Sequence, residues 1–229
     1  AYEHHVDRLL ASRGFGERWA DLWFDWVRFA ESDGYKADSF RPTAWRYRDH
    51  VVDSLANDLP FDRFVLEQLA GDLLEPSAPE RIAATGYLRL GIYEYNQRDA
   101  RSQWTAMLED ITETTADALL GLGVGCARCH DHKYDPISQE DYYRLQACFA
   151  GIDPIDDASV ATDVERAEYE AKLAEWNDRT RATRERLAEL EREVRASALR
   201  EAIEKFPPNV VACFDRPEAE RSSLDRQLI

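Results

Sequence analysis

Apolar residues along most of this chain recur at spacings of three and four, which is the pattern of an amphipathic α-helix. The first clear stripe contains three tryptophans, and we interpret it as the face that a helix buries in the core: Trp19, Leu22, Trp23, Trp26 and Val27. The same spacing predicts further helices at about 45–55, 60–71, 79–88 and 102–122. A capping box at Ser138-Gln-Glu-Asp141 predicts another that runs through Phe149. We therefore expect a mainly α fold, an irregular multi-helix globular domain.

Two segments depart from this pattern. Residues 92–97 are predicted to form a loop or a short strand. From about residue 156 the sequence indicates one long coiled-coil-like helix, because eight positions alternate by four and three residues with Glu and Arg between them: Tyr169, Leu173, Trp176, Thr180, Thr183, Leu187, Leu190 and Val194. Pro207-Pro208 ends this helix.

The predicted organisation has three parts. A helical globular domain occupies residues 1–155, a coiled-coil arm residues 156–206, and a proline-containing tail, residues 207–229, starts a following region. We expect the seam at 169–194 to pair with another helix. That helix belongs to a partner, to a second copy of the chain, or to a returning part of a longer chain; a plain structural spacer is the other interpretation.

The charge balance excludes some classes of partner. The 229 residues contain 45 Asp and Glu against 29 Lys and Arg, which gives a formal net charge of −16. Such a surface repels phosphate, so we expect no nucleic-acid partner.

No apolar run reaches the roughly 18 residues of a membrane span, so no transmembrane segment is expected. The first ten residues, AYEHHVDRLL, have no signal-peptide pattern, and four cysteines are too few for a disulfide scaffold.

The segment Cys126-Ala-Arg-Cys129-His130 carries the most specific chemistry in the sequence. Two thiols at this spacing reach the two vinyl groups on one edge of a haem, and the adjacent imidazole is then delivered to the iron as its proximal ligand. We therefore predict one covalent haem c, with thioethers from Cys126 and Cys129 and iron ligation by His130. The redox couple of the iron makes electron transfer the expected activity.

Three other sites would use the same residues. A zinc site would combine Cys126 and Cys129 with His130 or His132, although the chain has no second ligand pair at zinc-finger spacing. A thioredoxin-like pair needs a preceding strand in a βαβ unit, which the helical surroundings do not offer. A plain disulfide leaves His130 without a role. The glycine-rich run at 121–125 is not a phosphate loop, because no Lys-Ser/Thr pair accompanies it.

Residues next to the motif are candidate contacts for the haem propionates. Arg128, Lys133 and Tyr134 have the charge or hydroxyl group for this. His132 lies two residues past the proximal ligand, where crossing to the opposite face of the haem is difficult. We expect it to hydrogen-bond a propionate or, alternatively, to bind a different metal.

Two further questions stay open at this point. The distal iron ligand is unassigned, with Met107, His50 and an unfilled sixth position as alternatives. Met107 would need its helix to fold back over the haem. Cys148 and Cys213 are either free buried thiols or one disulfide that ties the end of the chain to the domain.

Five stretches of the sequence carry a family resemblance: Gly16–Ala20, Arg41–Asp49, Glu67–Leu74, Ala84–Tyr87 and Gly121–Ile137. The last, GLGVGCARCHDHKYDPI, is close to a family signature, and the other four are individually weak. Together they resemble the planctomycete-type cytochrome c-associated domain (the PSCyt2 or DUF1549 family), found in large secreted proteins of Planctomycetes and related bacteria. Similar proteins continue with a helical spacer and a proline-rich tail, so the resemblance covers essentially the whole chain.

The resemblance implies a c-type haem context outside the cytoplasm, carried by Cys126, Cys129 and His130. We accordingly expect a periplasmic or extracellular location, with the signal peptide outside the given chain. The predicted function is a mono-haem c-type cytochrome domain for electron transfer, within a larger secreted redox protein and with a basic redox partner suited to the acidic surface. The alternative is a non-haem metal-binding or structural assembly module of a larger secreted enzyme. A haem enzyme with an open distal site is a third hypothesis.

Overall fold

The computed structural model describes residues 1–35, 38–74, 78–93, 99–154 and 159–228. These residues form ten α-helices: α1 (Tyr2–Leu10), α2 (Arg13–Val27), α3 (Ala44–Ala56), α4 (Phe61–Ala70), α5 (Pro79–Ala84), α6 (Ala100–Thr115), α7 (Gln139–Phe149), α8 (Asp163–Ile203), α9 (Pro208–Phe214) and α10 (Ser223–Leu228). Within the same residues the only β-type pairing is an isolated bridge between Ser32 and Phe40. The predicted mainly α fold is confirmed. The prediction for 92–97 lies largely outside the described residues.

The chain separates into two compact units, Ala1–Val160 and Ala161–Ile229. Helices α2 and α3 pack against each other at the centre of the first unit. Helices α4 and α5 and the 3₁₀ turn Thr85–Arg89 pack beside them. Gly16 permits the close approach of α2 to α3, because a Cβ atom there would lie 2.7 Å from the carbonyl oxygen of Val52. The helix α6 in turn contacts α2 and α7.

A buried polar network lies at the centre of this unit. The indole Nε1 of Trp23 donates a hydrogen bond to the Tyr47 hydroxyl at 3.0 Å, and that hydroxyl donates to Oε1 of Gln68 at 2.6 Å. Nε2 of Gln68 donates to the carbonyl oxygen of Phe64 at 3.1 Å, and the Phe64 ring packs against Trp23 with 4.9 Å between ring centroids. Burial raises the pKa of Tyr47. We call these four residues the tryptophan core.

The predicted tryptophan stripe is only partly buried, which corrects the interpretation of that stripe as one core face. Trp23 and Val27 are buried, whereas Trp19 is 47% exposed and Trp26 is 57% exposed. The buried face of α2 is centred on Ala20 instead, which sequence reasoning did not select. Its small side chain lets neighbouring helices approach, so the face that packs is narrower than the apolar stripe.

Helix ends agree with the local signals in some places and differ in others. The capping box at Ser138 and Asp141 is present and opens α7, which ends at Phe149 as predicted. The predicted helix 102–122 stops being α-helical at Thr115 and continues as a π-helical turn over Ala116–Leu120. Gly71 follows α4 with an ordinary φ of −61°; its role is close packing, since a Cβ atom there would lie 2.2 Å from the carbonyl oxygen of Arg81.

The second unit consists of the long helix α8 and a short helical end. A capping box of Thr162 and Glu165 opens α8, which is 41 residues long and contains no buried residue. Beyond it, the buried Cys213 of α9 donates its thiol hydrogen to Oδ1 of Asp225 at 3.2 Å, and Arg216 pairs with the same carboxylate at 2.6 Å. No helix in the described part of the chain has the length and apolarity needed to cross a membrane.

Candidate cofactor site

The chain enters the cysteine motif through an unusual helix end. After the π-helical turn, Gly121 adopts a left-handed φ of +64°, and the Leu122 amide donates to the carbonyl oxygen of Ala116 at 3.0 Å. Only glycine takes this φ without strain. A Cβ atom at Gly121 or at Gly123 would meet nothing within 4 Å, so the approach to the motif runs along open surface.

The two motif cysteines point away from a small apolar base. Val124 and Ala127 are buried with Ala116 of the π turn and Tyr142 of α7. The motif itself is a 3₁₀ turn over Gly125–Arg128 that packs on α7. Residues three apart share a face of such a turn, so Val124 and Ala127 face the base while Cys126 and Cys129 are exposed as free thiols. We call residues 126–137 the cysteine loop.

The two histidines of the cysteine loop differ in what their rings contact. The exposed His130 has its Nδ1 2.7 Å from the carbonyl oxygen of Asp131. A carbonyl only accepts, so we assign the proton of the neutral ring to Nδ1, which leaves the lone pair on Nε2. Histidine ligands of metals in proteins commonly have this arrangement, with one ring nitrogen held by a carbonyl and the other free to bind.

His132 stabilises the cysteine loop through hydrogen bonds within the loop. Its side chain is only 14% exposed, and its Nδ1 accepts the backbone N–H of Asp135 at 2.9 Å. Its own backbone N–H donates to the carbonyl oxygen of Ile137 at 2.8 Å. The His132 ring therefore holds the turn that follows the motif, and its Nδ1 is already engaged. Across the described residues, no group of three or more His, Cys, Asp and Glu side chains converges in a way that would hold a metal ion.

Arg128 is fixed by carboxylates of α6. Its guanidinium lies 2.9 Å from Oε2 of Glu109 and 3.3 Å from Oε1 of Glu113. The charge of Glu109 is the largest cause of the raised pKa of Arg128, followed by that of Glu113 and a hydrogen bond with Cys129. The Arg128 carbonyl also accepts from Nε2 of Gln139 at 3.0 Å. Both ends of this residue thus anchor the motif to neighbouring helices.

Lys133 and Tyr134 form a surface pair of their own. The Lys133 ammonium lies 5.0 Å from the centroid of the Tyr134 ring, a cation–π distance. Tyr134 is 82% exposed and Lys133 is exposed as well. Both side chains are accessible to a ligand at the cysteine loop, whereas Arg128 would first have to leave its carboxylate partners.

The residues considered for the distal position lie elsewhere. Met107 packs in an apolar cluster with Leu108, Ile111 and Phe149. His50 lies in a cavity lined by residues between 45 and 83, none of which belongs to the cysteine loop. The structure brings neither side chain to the motif.

The remaining cysteines are free thiols. Cys148 is exposed on α7, while Cys213 is buried beside Asp225 in the second unit. Burial is the main cause of the raised pKa of the Cys213 thiol. Cys148 is thus exposed and not buried, which corrects one part of the expectation for this pair.

Sequence reasoning missed the residues that position the motif. Glu109 and Glu113 are four residues apart on α6 and therefore share a helix face, which was a detectable signal. Their contact with Arg128 depends on how α6 packs, which spacing alone does not reveal. Gln139 and Tyr143, whose side chains both donate to the Arg128 carbonyl, had no local signal.

The fold and the site define a mainly α-helical domain that presents a Cys-x-x-Cys-His loop at its surface. Residues 1–154 match the family PSCyt2, described as a protein of unknown function (DUF1549), and the chain belongs to this family. No curated protein and no solved structure matches the chain.

Proposed function

We propose that the Ala1–Val160 unit is a mono-haem c-type cytochrome domain that transfers electrons. The observation that carries this proposal is the exposure of the two motif thiols together with the contact made by the adjacent histidine ring. Two exposed thiols flank a turn, and the adjacent His130 holds one ring nitrogen on a carbonyl while the other is free. Covalent attachment of a haem and proximal ligation of its iron require these three groups.

The donor set favours haem over zinc. A structural zinc ion needs four protein ligands, and a catalytic one needs three. The described residues supply no converging group of three such side chains. A haem needs a single protein nitrogen on its proximal side, because the porphyrin supplies four of the iron ligands. His130 alone meets that need.

Each residue of the loop has a definable task. Cys126 and Cys129 would form the thioethers, and the carbonyl of Asp131 would hold the His130 ring in one orientation. The Arg128 contacts with Glu109 and Glu113 hold the backbone of the motif in place. When bound, the haem supplies a one-electron redox couple.

The formal net charge of −16 supports a basic redox partner whose binding weakens with salt.

The proposal includes a location outside the cytoplasm. It rests on the haem chemistry proposed here and on the membership in PSCyt2, whose name refers to cytochromes. We further propose that Met107 and His50 would not ligate the iron, because Met107 packs in an apolar cluster and His50 lines a cavity that contains no residue of the cysteine loop.

Expression in a host that matures c-type haem tests this function. We expect the intact mass of the purified protein to increase by one haem that survives denaturation. Cys129→Ala should abolish two-point attachment, whereas Cys148→Ala, a matched exposed cysteine outside the motif, should leave it unchanged. A wild-type mass without haem in a host that matures a control cytochrome would contradict the proposal. Binding of carbon monoxide to the reduced protein would distinguish an open sixth position from a filled one.

We propose assembly through α8 as a second function. All of its seam residues except the half-buried Thr180 are exposed, although they have the alternating spacing of a coiled coil. The seam is also symmetric about its centre between residues 181 and 182. In an antiparallel pair of two copies, each seam position lies opposite another seam position: Tyr169 with Val194, Leu173 with Leu190, Trp176 with Leu187, and Thr180 with Thr183, so the two aromatic side chains face smaller aliphatic ones. A second copy of the chain is therefore the partner that this face fits.

Sedimentation across a dilution series tests this assembly. We expect the wild-type protein to dimerise, and the double variant Leu187→Lys, Leu190→Lys to remain monomeric because it places charge on the seam. The control Ala188→Lys changes the outer face and should dimerise as the wild type does. A wild-type protein that stays monomeric throughout the series would refute self-association.

A further inference from the structure

A cavity of about 480 Å³ lies in the first unit, separate from the cysteine loop. It is formed by α3, by the turn that leads into α4, and by α5. One part of its wall is apolar, with Trp45, Leu59, Pro79 and Ala83. Binding sites for small ligands typically have volumes of roughly 300–1,000 Å³ and combine an apolar wall with a few convergent polar groups. We call this site the acidic cavity.

Carboxylates dominate its charged groups. Five of them line the cavity against a single guanidinium, that of Arg46: Asp49, Asp53, Asp58, Glu67 and Glu80. Three of the five have cationic partners. Arg13 pairs with Asp53 at 2.8 Å, Arg48 with Asp49 at 3.2 Å, and Arg63 with Glu67 at 3.2 Å.

Two carboxylates remain available for a ligand. Asp58 and Glu80 form no ion pair with any residue in the described part of the chain. They belong to different segments, the turn before α4 and the first turn of α5, so they face the cavity from two sides. Asp58 also has a left-handed φ of +52°, which Asp and Asn tolerate better than most side chains.

The aromatic and imidazole groups of the cavity suit a cation. The Arg46 guanidinium lies 4.7 Å from the centroid of the Trp45 ring, a cation–π distance, and the indole is still 43% exposed, so part of it is accessible to the alkyl chain of a ligand. His50 stacks on Phe64 and contacts the Ser54 hydroxyl at 3.4 Å. Burial lowers the pKa of His50, so the ring adds no positive charge that would offset the carboxylates at neutral pH.

We propose that the acidic cavity binds an organic cation with an alkyl chain, with its ammonium or guanidinium group between Asp58 and Glu80 and its chain against Trp45. A divalent metal ion fits less well, because the described lining residues include no group of three donors that could hold one. A free amine and a lysine or arginine side chain of another protein share this chemistry.

Calorimetric titration with matched probes tests the proposal. The probes are N-acetyl-lysine methylamide, its norleucine analogue, which lacks the ammonium group, and the free diamine cadaverine. We expect the lysine derivative to bind with a dissociation constant of roughly 1 mM, as expected for a ligand of its size, and the norleucine analogue not to bind. The relative affinities of the lysine derivative and cadaverine identify the source of the cation, and either order supports the proposal.

Variants assign the binding to the cavity. The double variant Asp58→Asn, Glu80→Gln keeps side-chain size and should weaken binding at least about fivefold. Trp45→Leu should weaken it as well. Glu3→Gln is the matched control, because the exposed Glu3 lies in the first turn of α1 as Glu80 does in α5, and it should bind as the wild type does. Equal binding of the norleucine analogue, unchanged affinity in the folded double variant, or no binding of either cation would overturn the proposal.

Discussion

The tryptophan core and the cysteine loop both contain several polar groups, and they use them in opposite ways. In the tryptophan core the polar side-chain atoms of Trp23, Tyr47 and Gln68 bond one another or a nearby carbonyl, away from water. In the cysteine loop the two thiols and Nε2 of His130 face outward, while His132 bonds inward. A network that satisfies itself stabilises a fold, whereas exposed groups at a surface are accessible to a ligand.

The largest effect on stability should come from the tryptophan core. Phe64 is 2% exposed and packs against Trp23, so Phe64→Ala should lower the free energy of unfolding by about 3–5 kcal/mol through the cavity it leaves. Phe61, three residues away and 60% exposed, provides the control. Phe61→Ala should change the free energy by no more than about 0.5 kcal/mol. Similar losses for both variants in urea titrations would mean that Phe64 is not a core residue.

Within the same network, Gln68→Leu should cost about 1–3 kcal/mol, because the buried Tyr47 hydroxyl loses its acceptor. In a background of Tyr47→Phe the same change should cost less, since the hydroxyl is already absent. A double-mutant cycle measured by urea unfolding gives the coupling between the two residues. Strictly additive losses would show that the two side chains do not act as a network.

The two histidines of the cysteine loop should respond differently in protein prepared without haem. His132→Ala removes the acceptor of the Asp135 backbone N–H and should lower the free energy of unfolding by about 1–2 kcal/mol. His130→Ala changes an exposed ring and should cost no more than about 0.5 kcal/mol. A larger loss from His130→Ala than from His132→Ala would reverse the roles assigned to them.

The smallest effect concerns the pH dependence of stability. Burial lowers the pKa of His50 below 6.5, with the charges of Glu67, Asp53 and Glu80 acting in the opposite direction. Between the two pKa values the unfolded chain binds more protons at this residue, so the free energy of unfolding should fall as the pH drops below 6.5. His50→Gln should remove that part of the decline. Identical pH profiles for the two proteins, measured by urea unfolding, would contradict it.

Features of the fold that depend on residues close together in the sequence were predictable, whereas features that depend on packing between distant segments were not. The capping box of α7 and the seam of α8 depend on residues a few positions apart; α7 formed where the pattern predicted it, and α8 covers the whole seam, although it begins at Asp163 and not near residue 156. The exposure of Trp19 and Trp26 depends on which helices pack against α2, so an apolar stripe did not reveal it. Gly71 shows the same limit, because its packing partner, the Arg81 carbonyl, comes from another helix.

For the site, the sequence predicted the kind of chemistry better than its geometry. The spacing of Cys126, Cys129 and His130 was sufficient to select a haem motif. His130 and His132 are two residues apart and chemically identical, and only the folded loop distinguishes the outward ring from the bracing one. The contacts of Arg128 with α6 are likewise tertiary and were not predictable from spacing.

The most direct test of the haem assignment is the absorbance spectrum of oxidised and reduced protein, purified from a host that matures c-type haem. We expect the bands of a c-type haem at one haem per chain, still attached to the polypeptide after denaturation and acidic acetone extraction. A colourless protein, or a haem that the extraction removes, would contradict it.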